Sequence, residues 1–152
     1  MLKEGAQRVT LVRKRELKMS MTAIMCLTAA IYFETRGEDN VTGQVAVATV
    51  IMNRVDSPRW PSTVCGVVNQ DYQFSYTHDG ISDNPYKHAD EPDDKEALQL
   101  AELIAELVLN GERLDLTSTH YHATYVSPEW ANHYNRDVKY GEHIFYTAPK
   151  GL

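Results

Sequence analysis

The chain has few cysteines and a deficit of positively charged residues. It holds only two cysteines, and its 15 Lys and Arg residues are outnumbered by 21 Asp and Glu residues, giving a net charge of −6. A deficit of positive charge argues against nonspecific nucleic-acid binding, which depends on Lys and Arg at phosphates. We find no phosphate loop, no Ser-His-Asp order, no internal repeat and no linker. With 152 residues and an ordinary composition, one globular domain is expected.

Long apolar runs are also scarce. The most apolar stretch near the N-terminus looks like a signal peptide, but other features argue against one. Six Lys and Arg residues precede an apolar stretch from Met19, as in a signal peptide. That stretch contains Thr22 and Thr28, lacks a convincing cleavage site and is too short to span a bilayer. We therefore predict a basic arm over residues 1–20, a domain over residues 21–152, no clear signal peptide and no stable membrane insertion.

Two apolar helices are predicted in the first third of the domain. The first runs from about Thr22 to Arg36, and Gly37 is a plausible stop because glycine readily takes the left-handed conformation after a helix. The second runs from about Thr42 to Val55 and is apolar almost all round, which predicts a central position. Two buried helices joined at a glycine turn would hold Glu34 at their junction.

The remaining chain predicts further helices and a small β element. Ser62 can cap a short helix that ends at Val68, and residues 69–93 read as a long loop. A helix with an apolar face opens at Pro92 and ends before Gly111. The segments 119–126 and 142–147 read as short strands. The predicted fold class is α+β, mainly α, in a single domain.

Glu34 is the strongest candidate for chemistry. It follows the apolar run Ala29-Ala30-Ile31-Tyr32-Phe33, so its carboxyl is expected to be partly desolvated. Desolvation disfavours the charged form and raises the pKa of a carboxyl group. A glutamate with a raised pKa suits a general acid that protonates a glycosidic oxygen. The alternative is a solvated surface glutamate after a core helix.

Ordered segments along the chain resemble the cell-wall hydrolases that include the spore-cortex-lytic enzyme SleB. The segments that carry the resemblance are residues 29–38 (AAIYFETRGE), 43–55 (GQVAVATVIMNRV), 60–68 (WPSTVCGVV), 73–75 (QFS), 119–123 (THYHA), 128–131 (PEWA) and 141–146 (GEHIFY). The resemblance implies a lysozyme-like fold and cleavage of peptidoglycan glycan strands between N-acetylmuramic acid and N-acetylglucosamine. It places the catalytic glutamate on Glu34 and implies no metal and no cofactor.

A lytic transglycosylase, as the resemblance implies, needs only one acid/base. Glu38, one helical turn after Glu34, is the candidate for the second carboxylate that other glycosidases use. Because Gly37 interrupts the helix, Glu38 could instead pair with Arg36 or Arg54, or cap the second helix.

Several polar and aromatic residues are candidates for substrate binding. The segment Gln73-Phe74-Ser75 could contact sugar hydroxyl or acetamido groups, and it could equally be a structural turn. Tyr121, His122 and Tyr125 are expected to contribute hydrogen bonds and stacking faces.

A metal-dependent hydrolase is an alternative interpretation of the histidines. His120 and His122 share one face if they lie in a strand, and His143 could complete a zinc site. A non-catalytic glycan-binding module on a degenerate lysozyme-like fold is a further alternative, which the presence of Glu34 argues against.

The two cysteines and the single-domain organisation are the features from which we predict the cellular compartment. Cys26 and Cys65 lie in apolar segments, and the cysteines that many relatives carry around Gln-Phe-Ser are replaced here by Tyr72 and His78. That departure favours two reduced thiols and a cytosolic history over a Cys26–Cys65 disulfide. We expect a monomer that is cytoplasmic on synthesis and acts on the bacterial wall after release, as a phage endolysin does.

Overall fold

The computed structural model describes residues 22–70 and 84–150. Five α-helices precede three strands, with one 3-10 helix between the first two strands. The elements are α1 (22–35), α2 (Val41–Val55), α3 (Val64–Val68), α4 (Pro85–His88), α5 (Pro92–Leu109), β1 (His120–Ala123), the 3-10 helix (Glu129–Asn132), β2 (Asn135–Tyr140) and β3 (His143–Thr147). The predicted mainly helical α+β domain with a small β element is confirmed. The basic arm lies outside the described residues.

Helices α1 and α2 form the centre of the core, as the apolar patterns predict. Gly37 adopts a φ of +87°, which the missing side chain permits, and it turns the chain after α1. Asn40 then caps α2 by accepting a 2.7 Å hydrogen bond from the Gly43 amide. Along α2, ten of the fifteen residues are buried, and α5 packs against it with five buried residues. Glu34 therefore lies at the end of a helix that is held on several sides.

Two details of the helices differ from the prediction. Thr63, and not Ser62, caps α3 by accepting a hydrogen bond from the Gly66 amide. The predicted loop contains α4, a single helical turn whose first residue is Pro85 and whose cap is the side chain of Asn84. A four-residue helix has no room for an apolar repeat, so only its Asn-Pro start marked it in the sequence. Of the described residues, no helix is long and apolar enough to cross a membrane.

The small sheet is antiparallel, with strand order β1-β3-β2. Tyr121 of β1 pairs with Phe145 of β3, and β2 pairs with the other edge of β3 across an irregularity between Arg136 and Val138. The sequence predicted β1 and β3 but missed β2. Four of its six residues are polar and exposed, so β2 lacks the apolar alternation by which a strand is found.

A disulfide joins Cys26 in α1 to Cys65 in α3, and the expectation of two reduced thiols is wrong. The two Cα atoms lie 5.3 Å apart, within the range of ordinary disulfides. Cys26 and Cys65 are 39 positions apart in the sequence, so nothing local indicates that they meet. The bond ties the helix that carries Glu34 to the short helix after α2.

Reduction of this disulfide should destabilise the domain. Closing a loop of 39 residues restricts the unfolded chain, which corresponds to about 4 kcal/mol in the chain-entropy description. We expect a lower midpoint of denaturant unfolding when a reductant is present. The double variant Cys26→Ser/Cys65→Ser is the control, because its unfolding should not respond to the reductant. An unchanged midpoint for the unaltered protein would show that the bond contributes no stability.

Candidate active site

Glu34 lies in the last turn of α1, where its carboxyl is desolvated and meets Tyr121 of strand β1 and Arg54 of α2. The next residue, Thr35, is buried and donates a 2.6 Å hydrogen bond back to the Ile31 carbonyl, which holds this end of the helix. Burial raises the pKa of Glu34 from 4.5 to about 7. A hydrogen bond from the Tyr121 side chain and the positive charge of Arg54 act in the opposite direction. The predicted partial desolvation and raised pKa of this carboxyl are confirmed.

Arg54 is the counter-charge of this site, a part that its sequence context did not predict. Its side chain is 5% exposed, and its Nε donates a 2.7 Å hydrogen bond to the Thr119 carbonyl. The guanidinium carbon lies 5.6 Å from the centre of the Trp60 ring. A buried arginine needs partners, and Glu34 and Tyr121 both favour its charged form. The signal in the sequence was a lone arginine near the end of an otherwise apolar helix.

Tyr121 reaches Glu34 from strand β1, where it is the second residue. Its ring centre lies 5.3 Å from that of His143 and 5.8 Å from that of Phe145, both on the neighbouring strand β3. Phe145 is fully buried in the core. The structure thus brings one of the predicted substrate-binding residues into direct contact with the candidate acid.

Glu38 does not lie free beside Glu34 as a second carboxylate would. It accepts a 2.8 Å hydrogen bond from the Glu142 amide, and its other oxygen lies 3.1 Å from Nδ1 of His143. The predicted pairing of Glu38 with Arg36 or Arg54 is therefore wrong, as is a capping role, because the side chain of Asn40 caps α2. Its partners lie more than 100 residues away in the sequence, beyond any local pattern.

The three histidines do not form a common ligand set. Successive side chains of a strand point to opposite faces, so the pairing of β1 with β3 separates His143 from His120 and His122. Nδ1 of His122 bonds the Ala123 carbonyl and its Nε2 bonds the Tyr146 hydroxyl. Within residues 22–70 and 84–150, no cluster of three or more His, Cys, Asp or Glu residues could hold a metal ion.

His120 belongs to a half-buried aromatic cluster on its face of the sheet. Its ring centre lies 4.9 to 5.8 Å from the ring centres of Tyr134, Trp130 and Trp60. Burial, together with the charges of Arg54 and Arg59, lowers the pKa of His120 to about 4. The ring is therefore neutral near pH 7 and packs as an aromatic group.

Two of the other predicted binding residues, His122 and Tyr125, are not brought to Glu34. Tyr125 lies in the turn after β1 and is 84% exposed. His122 lies on the sheet face opposite to Tyr121 and stacks on Tyr146. The segment Gln73-Phe74-Ser75 lies outside the described residues, so its part in the site stays a prediction.

A groove of about 570 Å³ runs beside the turn that follows Glu34. Its walls are formed by the α1–α2 turn and the start of α5, and they carry more carboxylates than positive charges. The acidic residues among them are Glu38, Asp39, Asp93, Asp94 and Glu96, with Arg36 as the positive one. Glu34 itself does not line this groove, so its volume says nothing about the space in front of the candidate acid.

The domain around this site matches a known family. The family model described as cell wall hydrolase matches residues 38–146, which is well over half of the chain. The chain belongs to the cell wall hydrolase family. Glu34 lies four residues before the matched range, so this match does not itself include the candidate acid.

Solved structures extend the likeness of this cell wall hydrolase to its fold. The catalytic domain of the germination-specific lytic transglycosylase SleB from Bacillus anthracis is 32% identical, with a TM-score of 0.61, over 82% of this chain and 93% of that chain. The catalytic domain of the Bacillus cereus SleB protein is 30% identical, with a TM-score of 0.60, over 84% and 91% of the two chains. The predicted SleB-like, lysozyme-like domain is confirmed.

Curated relatives match over a shorter stretch. The spore cortex-lytic enzyme of Halalkalibacterium halodurans is 47% identical over 57 residues, and that of Bacillus subtilis is 46% identical over 57 residues. Each stretch is 38% of this hydrolase but only 17% and 18% of those relatives, respectively. The chain thus spans a minor part of the curated relatives' length.

The pH dependence of the stability of this hydrolase should reflect the raised pKa of Glu34. Because the folded-state pKa is about 7 and the ordinary value 4.5, the folded state binds the proton more tightly between these pH values. The free energy of unfolding therefore falls as pH rises through that window, by up to about 3 kcal/mol. Glu34→Gln cannot ionise, so we expect the variant to match the unaltered protein at pH 4 and to exceed its stability at pH 8.

Denaturant unfolding at pH 4, 6 and 8 measures this difference. Glu129→Gln is the matched control, since it makes the same substitution at a glutamate whose side chain is 86% exposed. A stability difference between Glu34→Gln and the unaltered protein that is the same at all three pH values would contradict a raised pKa.

Proposed function

We propose that this chain cleaves the glycan strands of peptidoglycan between N-acetylmuramic acid and N-acetylglucosamine, by lytic transglycosylation with Glu34 as the single acid/base. The observation that carries the proposal is a largely buried carboxyl with a pKa of about 7, bonded by Tyr121 and facing Arg54. It belongs to a cell wall hydrolase that is similar in fold and sequence to a lytic transglycosylase catalytic domain.

The proposed reaction uses the Glu34 carboxyl twice, first as the acid and then as the base. Protonated Glu34 donates its proton to the glycosidic oxygen as the bond from that oxygen to the anomeric carbon of N-acetylmuramic acid breaks. The resulting carboxylate then takes the proton of the muramic acid 6-hydroxyl. That oxygen attacks the anomeric carbon and closes a 1,6-anhydro ring, which regenerates protonated Glu34. No water is consumed, so each cleavage releases an anhydro end and a free 4-hydroxyl end.

The surroundings of Glu34 support both halves of this cycle. An efficient acid/base has a pKa near the working pH, so that the acid and its conjugate base are both accessible. Burial favours the neutral acid that the first step needs. The Tyr121 hydrogen bond and the Arg54 charge stabilise the carboxylate that the second step needs.

The environment of Glu38 supports a route with one carboxylate. Inverting hydrolysis uses a second carboxylate as the base that activates water. Glu38 is 6% exposed and its two oxygens are taken by the Glu142 amide and His143. The groups that lower the pKa of Glu34 are the Tyr121 side chain, through a hydrogen bond, and Arg54, through its charge, and among the described residues no carboxylate joins them.

We also propose that the enzyme works outside the reducing cytoplasm, at the wall. The Cys26–Cys65 disulfide supports this, because such bonds persist in oxidising compartments and are rare in the cytosol. Thiol alkylation of protein recovered from cells before lysis and from the envelope after lysis tests the idea. We expect alkylated Cys26 and Cys65 only in the first sample, and free thiols in the envelope sample would contradict it.

Products from purified peptidoglycan test the proposed chemistry. General acid–base catalysis typically contributes about 10²–10⁴-fold, so Glu34→Gln should lose glycan cleavage by that factor while remaining folded. Mass spectrometry of the products of the unaltered protein should show anhydro ends. Glu129→Gln is again the control and should retain its rate.

The result that would refute the role of Glu34 is a rate for Glu34→Gln within a few-fold of the unaltered protein. Reducing ends in place of anhydro ends would replace transglycosylation by hydrolysis.

A further inference from the structure

We infer that Glu38 is a positioning residue of this site: through His143 it holds the Tyr121 ring in place, and with it the Tyr121 hydrogen bond to Glu34. The catalytic consequence of this inference rests on the function proposed above. The arrangement itself stands on the contacts of four side chains.

The first link is a buried pair. The side chains of Glu38 and His143 are 6% and 8% exposed, and Oε2 of Glu38 lies 3.1 Å from Nδ1 of His143. Burial lowers the pKa of His143, against the opposing effects of Glu38 and Glu142, so the neutral ring donates its Nδ1–H to the carboxylate near pH 7. Oε1 of Glu38 accepts the Glu142 amide at 2.8 Å. Both donors compensate a carboxylate that would be costly to bury alone.

The second link is the backbone that closes on this carboxylate from two sides. A Cβ at Gly141, in the β2–β3 turn, would lie 2.0 Å from Oε1 of Glu38. A Cβ at Gly43, in the first turn of α2, would lie 2.7 Å from the same oxygen and 3.1 Å from the Tyr140 carbonyl. Two glycines therefore allow the β2–β3 turn and α2 to approach the carboxylate directly. Glu38 connects the helical part of the domain to the end of the sheet.

The third link leads to the candidate acid. His143 and Tyr121 lie on the same face of the sheet, with ring centres 5.3 Å apart and planes at 77°. Phe145 supports the Tyr121 ring from a further side, at 5.8 Å. The Tyr121 hydroxyl then bonds Glu34. A displaced His143 would remove one wall of the Tyr121 ring, and the hydrogen bond to Glu34 would weaken.

A positioning role of Glu38 and a direct role in the reaction predict different outcomes for two substitutions of this residue. A glutamine can satisfy both partners, because its oxygen accepts the Glu142 amide and its NH2 donates to Nδ1 of His143 once the imidazole takes its other tautomer. An alanine can satisfy neither. A positioning role therefore predicts that Glu38→Gln recovers most of the activity that Glu38→Ala loses. A role in proton transfer or nucleophilic attack predicts that both variants are equally inactive.

The test follows the titration of Glu34 directly, by carbon-13 NMR of labelled glutamate carboxyls. Loss of the Tyr121 hydrogen bond should raise the pKa of Glu34 by roughly half to one unit. We expect this rise in Tyr121→Phe and in Glu38→Ala, and little change in Glu38→Gln. Glu112→Ala, at an exposed glutamate that follows the end of α5, should change neither the Glu34 titration nor glycan cleavage.

If Glu38→Ala does not fold, the variant His143→Asn tests whether Glu38 positions Tyr121 through His143. The asparagine NH2 can take the place of Nδ1–H toward Glu38, but it removes the ring that contacts Tyr121. We expect the rise in the pKa of Glu34 in this variant as well. An unmoved Glu34 titration in Glu38→Ala or His143→Asn would overturn the inference, as would a Glu38→Gln variant as inactive as Glu34→Gln.

This titration needs no turnover, which separates the inference from the proposed function. If the unaltered protein released no glycan fragments, the proposed function would fail while the shifts in Glu34 titration would still decide the role of Glu38.

Discussion

Desolvation of the Glu34 carboxyl is the constraint on which the rest of this site depends. The carboxyl is buried because α1 is apolar up to Phe33 and because α2 and β1 close around its end. Among the residues that the structure describes, two partners offset the burial, the Tyr121 hydroxyl and the Arg54 charge. A third strong donor would turn the group into an ordinary ionised glutamate, and removal of both would keep it protonated. The pKa of Glu34 thus depends on the balance between burial and these two partners.

Two glutamates four residues apart experience opposite environments. Glu34 lies in a site where the effect of burial on its pKa exceeds that of its partners, whereas the Glu38 side chain is 6% exposed and accepts hydrogen bonds from the Glu142 amide and from His143. The turn at Gly37 makes the difference, because it directs the second glutamate away from the first and toward the sheet. The turn at Gly37 therefore separates the candidate acid from a carboxylate that bonds to the end of the sheet.

Helices and their ends could be predicted from neighbouring residues in the sequence. Contacts between distant residues and the polar strand β2 could not. Apolar periodicity located the helices, and the stops at Gly37 and Gly111 have the positive φ values, +87° and +99°, that end helices. The contact of Glu38 with His143 spans 105 positions, which no local pattern encodes. The desolvated position of Glu34 was predictable because the apolar run that buries it is adjacent in the sequence. Tyr121, whose hydrogen bond lowers that pKa, was predicted as a substrate-binding residue and not as a partner of Glu34.

The polar strand β2 has a consequence for how the protein behaves in concentrated solution. It forms one edge of the sheet, and no strand pairs with its outer side among the described residues. Exposed edges of this kind template the pairing of strands between molecules. Arg136 and Lys139 are exposed along β2 and would bring like charges together in such a pairing. The polar composition that prevented the prediction of β2 thus also disfavours edge-to-edge association between molecules.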